Sequence, residues 1–130
     1  MKNKIKICIV RSKYNETSEL LKNATKELIN RKISFKILEV PGAFEIPVVI
    51  ARNIKKYDGF VAIGLIIKGE TSNFDFISAA ITNGLIQLSI LHKKPICNAI
   101  ITCLNKKQAK LRANKGYEAV IAVCEVLNVK

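Results

Sequence analysis

Residues 60–75 read FVAIGLIIKGETSNFD, and this stretch decides the fold class. Phe60–Ile67 is apolar throughout, which is typical of a strand that is covered on both faces of a parallel sheet. Gly69 breaks the run, and a helical pattern follows over Phe74–His92. Its predicted apolar stripe consists of Ile77, Ala80, Ile81, Gly84, Leu85, Leu88 and Leu91. A buried strand, a glycine turn and an amphipathic helix in succession indicate one unit of an α/β sheet.

The same alternation continues on both sides of this unit. The other predicted strands are Lys4–Val10, Ile33–Val40 and Pro95–Thr102. The other predicted helices are Glu16–Arg31, Phe44–Lys55 and a long last helix over Lys106–Leu127. Four strands that alternate with four helices predict a four-stranded parallel sheet with right-handed crossovers, in a three-layer αβα sandwich. Ligands of such sheets bind at the carboxyl ends of the strands.

The bulk composition bounds the class of protein. The chain has 130 residues, which predicts a single domain over residues 1–130. Hydrophobic residues make up 49%, which excludes disorder as the main state. The apolar run after Lys6 is short and lacks a small-residue cleavage site, so no signal peptide is expected. No apolar stretch looks long enough to span a bilayer, and the cytoplasm is the expected compartment.

Metal ligands are sparse in the sequence. The four cysteines lie inside apolar segments, without a C-x-x-C spacing, at Cys8, Cys97, Cys103 and Cys124. The single histidine, His92, has no nearby ligand partner and is interpreted as a solvated residue or a partner of the helix dipole. The sequence therefore predicts buried reduced thiols and no metal site.

The chain is strongly basic, with 22 Lys and Arg against 10 Asp and Glu and a net charge of +12. The lysines are spread along the sequence, and the main local cluster is Lys106, Lys107 and Lys110. A nucleic-acid-binding protein would gather them in a stripe interleaved with aromatic residues, so this function is not favoured. A positive surface still attracts anionic, phosphate-bearing substrates.

Two predicted turns carry groups that suit a polyol and a phosphate. Glu45 follows the second strand, where its carboxylate either accepts hydrogen bonds from hydroxyl groups or complements the dipole of the next helix. Gly69–Thr71 opens the third helix, where backbone N–H groups bind phosphate. The alternative is that Gly69 makes a turn and Thr71 caps the helix. Tyr14, in the loop after the first strand, offers a flat aromatic face.

Three motifs in order resemble the 6,7-dimethyl-8-ribityllumazine synthase family. They are Pro-Gly-Ala-Phe-Glu-Ile-Pro at 41–47, Gly-Leu-Ile-Ile-Lys-Gly-Glu-Thr-Ser-Asn-Phe-Asp at 64–75, and Asn-Lys-Gly-Tyr-Glu-Ala at 114–119. The resemblance implies a flavodoxin-like transferase of riboflavin biosynthesis that needs no cofactor. Such an enzyme joins a ribitylamino-pyrimidinedione to a butanone phosphate, with loss of phosphate and water. The resemblance also implies a homopentamer, or an assembly of pentamers, with the site between neighbouring subunits.

The resemblance assigns roles to the residues around the heterocycle and its side chain. Tyr14 is expected to stack on the pyrimidine, with Asn15 beside it. Leu65 and Ile66 are expected at the pyrimidine edge. The turn Ala43, Phe44 and Glu45 is expected to hold the ribityl hydroxyl groups.

The remaining roles concern the phosphate and the chemistry. Gly69, Glu70 and Thr71 match the phosphate-binding turn. Arg112 is the nearest candidate for the phosphate-binding arginine, and Lys115 matches a basic catalytic position.

Two positions depart from the family pattern. Asn73 stands at the position of the general acid/base histidine, and Asn98 stands where an aromatic substrate contact is usual. Asparagine donates and accepts hydrogen bonds but exchanges no proton near neutral pH. The leading hypothesis is therefore a lumazine synthase with weakened proton handling. The alternative is a non-catalytic or weakly active binding or scaffold homologue of the same fold.

Overall fold

The structure is a computed structural model that describes residues 4–69 and 73–129. Its four strands form one parallel sheet in the spatial order β2-β1-β3-β4. Their bounds are β1 Lys6–Ser12, β2 Ser34–Val40, β3 Gly59–Ile67 and β4 Ile96–Cys103. All nine residues of β3 are buried, as the uninterrupted apolar run predicts. The predicted α/β fold with a four-stranded parallel sheet is confirmed.

The helices lie on both faces of this sheet. Their bounds are α1 Ser18–Asn30, α2 Ile46–Asn53, α3 Phe74–His92, α4 Lys106–Leu111 and α5 Lys115–Asn128. The predicted second helix begins later than expected, because Ala43–Glu45 forms a separate 3₁₀ turn before α2. Pro47 then occupies the first turn of α2, where its missing N–H costs nothing.

The prediction of one long last helix is wrong, because the chain forms α4 and α5 with a break between them. In the break, the N–H groups of Arg112 and Ala113 bond to the carbonyls of Ala109 and Lys110, at 3.1 and 3.4 Å. These are spacings of three residues, so the chain tightens and turns there. After the break, α5 packs against α1 at Gly116, where a Cβ atom would lie 2.1 Å from the carbonyl oxygen of Leu20.

This close approach also shifts the buried face of the last helix. Tyr117, the aromatic residue of α5, is 37% exposed. The buried positions of α5 are instead Gly116, Ala119, Val120, Val123 and Cys124. Gly116 allows contact between the two backbones, so the helix turns this residue towards α1 and its larger neighbour towards solvent.

Two apolar layers enclose the sheet. On one face, Ile7, Ile9, Val61 and Ile63 pack with α1 and α5. On the other face, Cys8, Val10, Phe60 and Ala62 pack with α2 and α3. The alternation of neighbouring residues between the two layers follows from the two-residue period of a strand.

Helix α3 leaves much of its apolar surface uncovered. Ile81 and Leu85 are its two fully buried residues. Its other side exposes Phe76, Ile86, Ile90 and Leu91, by 53–80%. With 19 residues, a mean hydropathy of 1.4 and 11% burial, α3 has the length and composition of a membrane-crossing helix, contrary to the sequence expectation. One helix of this kind is weak evidence for a membrane segment.

The strand order creates a crevice at one end of the sheet. After β1 the chain crosses to β2 on one side, and after β3 it crosses to β4 on the other. Where neighbouring strands lead in opposite directions, the loops at their carboxyl ends separate and leave room for a ligand. In this sheet, that point lies between β1 and β3.

Candidate functional site

The loop after β1 is held at this crevice by hydrogen bonds to both neighbouring strands. The N–H groups of Lys13 and Tyr14 donate to the carbonyls of Val40 and Pro41, each at 2.8 Å. On the other side, Nδ2 of Asn15 donates to the carbonyl oxygen of Leu65 at 3.0 Å. The Tyr14 side chain remains 62% exposed, so its ring is available to a ligand.

The turn after β2 is closed by its own carboxylate. Oε1 of Glu45 accepts a hydrogen bond of 2.9 Å from the N–H of Gly42. The N–H of Glu45 donates in return to the carbonyl of Gly42, at 3.2 Å. This capping bond commits one carboxylate oxygen, and it is a different structural role from the interaction with the helix dipole that the sequence left open for Glu45. Ala43 is buried at the base of the turn, whereas Phe44 is 60% exposed.

Gly64 in β3 lets the turn come close to the sheet. A Cβ atom at this position would lie 3.1 Å from Oγ of Ser12 and 3.3 Å from Cβ of Ala43. A glycine therefore permits the approach of β1 and of the turn after β2 to the same point of β3. Oγ of Ser12 is buried there and has no hydrogen-bond partner among the residues that the structure describes.

The result is a cavity of about 150 Å³ at the crevice. Six of the residues predicted to bind substrate line it, namely Tyr14, Asn15, Ala43, Phe44, Leu65 and Ile66. Gly42, Ile67 and Ile77 complete the lining and were not predicted. Gly42 lies inside a motif already singled out, and Ile77 belongs to the predicted apolar stripe of α3. The sequence patterns around these residues indicated features of the fold and not contacts with a substrate.

The turn after β3 is described only in part. Gly69 is exposed and has a positive φ of 96°, which favours glycine. Glu70 and Thr71, predicted in the phosphate-binding turn, lie outside the described residues. Asn73 precedes the first residue of α3 and is exposed, and its side chain makes no capping hydrogen bond. The predicted catalytic position is thus open to solvent at the start of α3.

The other predicted residues lie at the edge strand β4 and beyond it. Arg112 and Lys115 line a second cleft of about 430 Å³, together with Thr102 and Glu118. Nη1 of Arg112 donates to the carbonyl oxygen of Thr102 at 2.7 Å. Nζ of Lys115 lies 3.9 Å from Oε1 of Glu118. None of the residues lining this cleft also lines the first cavity.

Asn98 lines neither cavity. It is exposed on β4, and its Oδ1 accepts a hydrogen bond of 2.7 Å from the N–H of Ile100. The side chain thereby occupies a backbone donor of an edge strand, where strands of other chains commonly add. Within one subunit, most of the predicted site residues therefore fall into two groups. The first lines the cavity between β1 and β3, and the second is Arg112 with Lys115 in the cleft beside β4. Asn98 belongs to neither group.

None of the four cysteines is among the described residues that line either cavity. Burial raises the pKa of Cys8 to about 12 and that of Cys97 to about 11. Such thiols remain protonated and are poor nucleophiles or metal ligands at neutral pH. In the described ranges, no group of three or more His, Cys, Asp or Glu side chains is placed to hold a metal ion.

Comparisons with known proteins agree with the motifs. The model of the family described as 6,7-dimethyl-8-ribityllumazine synthase matches residues 4–130. A relative from Buchnera aphidicola subsp. Baizongia pistaciae, named 6,7-dimethyl-8-ribityllumazine synthase, is 40% identical over 98% of this chain and 89% of its own length. A second relative of that name, from Leuconostoc mesenteroides subsp. mesenteroides, is 35% identical over 95% of this chain and 87% of its own.

A solved structure supports the fold alone. A chain described as a split gene transketolase, inactive beta4 tetramer, superposes with a TM-score of 0.57 and 16% identity. The match covers 96% of the present chain but 41% of that chain. The family model and the two relatives carry the assignment by themselves, since they extend over nearly all of the sequence. The chain belongs to the 6,7-dimethyl-8-ribityllumazine synthase family, whose members are transferases of riboflavin biosynthesis.

Proposed function

We propose that residues 1–130 form a single-domain, cytoplasmic, active 6,7-dimethyl-8-ribityllumazine synthase. It condenses 5-amino-6-ribitylamino-pyrimidinedione with 3,4-dihydroxy-2-butanone 4-phosphate and needs no cofactor. The observation that carries the proposal is the convergence of six expected substrate contacts on one cavity between β1 and β3. They come from the loops or ends of three different strands, so their meeting is a property of the fold and not of local sequence.

The cavity suits the heterocycle and the polyol. The exposed ring of Tyr14 offers a stacking face, and Leu65 and Ile66 supply an apolar edge. Glu45 does not itself line the cavity, but it belongs to the turn whose Ala43 and Phe44 do. Its Oε1 closes this turn, and we propose that its Oε2 accepts hydrogen bonds from ribityl hydroxyl groups. Because the turn is fixed by this bond, the second oxygen is presented in a defined direction before substrate arrives.

The phosphate requires the second group of residues. Arg112 supplies a guanidinium with several donors, and Lys115 supplies a second positive charge. Since they line a different cleft, we propose that the β4 cleft of one subunit faces the β1–β3 cavity of a neighbour in a homo-oligomer. Gly69, Glu70 and Thr71 from the first subunit would then meet Arg112 of the second at the phosphate.

The exposed face of α3 supports this assembly. Phe76, Ile86, Ile90 and Leu91 place four large apolar side chains on the surface of one helix. An apolar patch of this kind on a small protein usually marks an interface. We propose that α3 packs against α3 of other copies in a pentamer or a pentamer-based assembly.

The rate of the reaction then depends mainly on how the site positions the two substrates. The amine of the pyrimidine attacks the ketone carbon, and water leaves to form an imine. Elimination of phosphate and tautomerisation then generate a new carbonyl group at the adjacent carbon. The ribitylamino nitrogen attacks this carbon, and loss of a second water completes the ring. Holding two reactive partners in contact contributes effective molarities of about 10⁵–10⁸ M in well-oriented cases. We propose that Asn73, exposed just before the first residue of α3, acts as a hydrogen-bond donor and acceptor that orients the reacting groups. Proton exchange is left to solvent and substrate, so the rate should be lower than with a titrating residue.

The activity test mixes purified protein with both substrates and follows lumazine absorbance. The expected result is a rate clearly above that of the protein-free mixture. Tyr14→Ala should raise KM for the pyrimidine by about 5- to 150-fold, since base stacking on an aromatic side chain contributes roughly 1–3 kcal/mol. Tyr117→Ala, a matched change at a tyrosine outside the cavity, should leave KM unchanged.

A rate equal to the protein-free mixture would contradict the enzymatic proposal. Retained affinity for the pyrimidine in that case would favour the alternative, a binding or scaffold homologue. Its motivating observation is Asn73, which cannot exchange a proton near neutral pH.

The assembly test compares sedimentation of the parent chain with that of two charge variants. Ile90→Glu on α3 should shift the protein from oligomer to monomer. Ile29→Glu changes an equally exposed isoleucine on α1, at 65% against 69%, and should leave the oligomer intact. A monomeric parent chain, or an Ile90→Glu oligomer of unchanged mass, would exclude α3 as the interface.

A further inference from the structure

A second cavity lies next to the candidate site, on the opposite face of the sheet. Its volume is about 180 Å³, and it opens between the start of α1 and the short helix α4. Leu20, Leu65 and Ile67 form an apolar floor and are each at most 5% exposed. Ala109 and Ala113 close the α4 side with small side chains, which leaves the space unfilled.

Four charged residues surround this apolar space. Glu16 and Glu19 line it from the α1 side, and Lys106 and Lys110 line it from α4. Within the described ranges, none of the four takes part in an ion pair of 4.0 Å or less. Oε1 of Glu16 accepts a hydrogen bond of 2.8 Å from the N–H of Ser18. Hydrogen bonding to the side chain of Ser18, and then to its backbone N–H, lowers the pKa of Glu16, so its carboxylate stays ionised at neutral pH.

Both cavities share the Asn15 side chain. Asn15, Leu65 and Ile67 line each of them, and the bond from Asn15 to the Leu65 carbonyl lies at their boundary. The second cavity therefore borders the first at the end of β3 without sharing its aromatic residues. Apart from Asn15 and Leu65 at this shared boundary, none of its described lining residues is expected to contact the heterocycle, the polyol or the phosphate.

The size of the cavity restricts what it holds. Drug-sized ligands occupy pockets of about 300–1,000 Å³, whereas an apolar cavity of about 150 Å³ accepts a molecule as small as benzene. All four charged side chains are exposed and hydrated, so a neutral apolar ligand of that size would gain no binding energy from them. A ligand with one positive group, one negative group and an apolar body satisfies both the rim and the floor.

We propose that this cavity binds an aliphatic α-amino acid. The ammonium group of the ligand lies at Glu16 and Glu19, its carboxylate lies at Lys106 and Lys110, and its branched side chain packs on Leu20, Leu65 and Ile67. This inference does not rest on the proposed enzymatic function: among the residues it uses, Leu65 alone is an expected substrate contact, and none is expected to contact phosphate or to react. The site would place a small metabolite one side chain away from the candidate active site.

The experiment is calorimetric titration of the whole protein with L-leucine. Three comparators each lack one feature of the ligand: 4-methylpentanoate has no ammonium group, 3-methylbutylamine has no carboxylate and glycine has no apolar side chain. The expected result is measurable binding of L-leucine and at least about tenfold weaker binding of each comparator. No heat from L-leucine at millimolar concentration, or equal binding of L-leucine and 3-methylbutylamine, would overturn the proposal.

Two pairs of variants locate the site. Ala109→Leu should fill the cavity and abolish binding, while Ala122→Leu, at a partly buried alanine of α5 outside the cavity lining, should bind as the parent does. The double variant Lys106→Gln and Lys110→Gln should weaken L-leucine binding about tenfold. The control Lys107→Gln, on the same helix but outside the cavity lining, should weaken it by less than about twofold. If Ala109→Leu fails to fold, the lysine variants decide. Equal affinity in the double variant and in Lys107→Gln would place the binding elsewhere and overturn the assignment.

Discussion

Nδ2 of Asn15 donates a hydrogen bond of 3.0 Å to the carbonyl oxygen of Leu65, which ties the loop after β1 to the end of β3. Asn15 itself has a φ of 68°, in the left-handed region. Asparagine tolerates this region better than other residues with a side chain, because its short amide bonds locally. The bond therefore sets the direction from which the neighbouring Tyr14 enters the cavity.

Two substitutions of Asn15 separate the contribution of its hydrogen bond to stability from that of its left-handed backbone conformation. Asn15→Gly keeps the backbone conformation and loses the bond, so the free energy of unfolding should fall by about 1 kcal/mol. Asn15→Ala loses the bond and also carries the left-handed penalty of roughly 1–2 kcal/mol, for a total of about 2–3 kcal/mol. Urea unfolding at one fixed protein concentration measures both. Equal losses in the two variants would show that the backbone conformation contributes nothing.

Glu45 is expected to have a structural and a binding role that two substitutions distinguish. Glu45→Gln retains an oxygen for the Gly42 N–H, so stability should stay close to that of the parent, while KM for the ribitylamino substrate rises. Glu45→Ala removes the bond, and the free energy of unfolding should also fall by about 1 kcal/mol. An unchanged KM in Glu45→Ala would contradict the proposed contact with the ribityl chain.

Asn73→His should increase kcat at least about tenfold, because general acid–base catalysis typically contributes 10²–10⁴-fold. The rate of the variant should also acquire a pH dependence near the ordinary histidine pKa of about 6.5, which the parent lacks. Steady-state rates between pH 5 and pH 8 test both. The matched control is Asn83→His, which places a histidine at an exposed position within α3. If both histidine variants match the parent, position 73 has no catalytic role.

Two helical glycines should respond in opposite ways to alanine. At Gly116, a Cβ would lie 2.1 Å from the Leu20 carbonyl oxygen, so α1 and α5 must separate. We expect Gly116→Ala to lower the free energy of unfolding by roughly 3 kcal/mol or more, as an overpacked core does at the upper end of its range. At Gly84, the nearest atom is Cβ of Pro47 at 3.5 Å, an ordinary contact. Gly84→Ala should be neutral or stabilising by up to about 1 kcal/mol, since alanine favours helix.

The Cys8 thiol should make the fold sensitive to alkali. Burial raises its pKa to about 12, whereas an unfolded thiol titrates near about 8.5. Between these values the unfolded chain releases a proton that the folded chain keeps, so raising the pH favours unfolding. The free energy of unfolding should lose up to about 1.4 kcal/mol per pH unit from this group. Cys8→Ala should remove that slope.

The control for the alkaline prediction is Val10→Ala, on the same strand and equally buried. It removes apolar volume without removing a titrating group, so its stability should fall at every pH while the slope stays that of the parent. Identical slopes in Cys8→Ala and Val10→Ala would contradict the assignment to the thiol.

Local sequence patterns predicted the bounds of a helix well where nearby residues determine those bounds. The bounds of α3 agree with the prediction at both ends, since a break at Gly69 and an apolar stripe define them. The last helix was predicted wrongly, because its break depends on a turn with three-residue bonds and on contact between Gly116 and Leu20, ninety-six positions away in the chain. A periodicity of apolar residues continues through such a break and does not reveal it.

By itself, the sequence determined the class of fold and the identity of the groups available for binding. The alternation of strand and helix, the aromatic of Tyr14, the carboxylate of Glu45 and the turn at Gly69 all follow from short stretches of residues. The tertiary structure alone decided which of these groups meet. The order β2-β1-β3-β4 brings the loops after β1 and β2 to the end of β3, and it leaves Arg112 and Lys115 in a cleft beside the edge strand. The physical reason is that strand order comes from long-range packing on both faces of a sheet, which no local periodicity encodes.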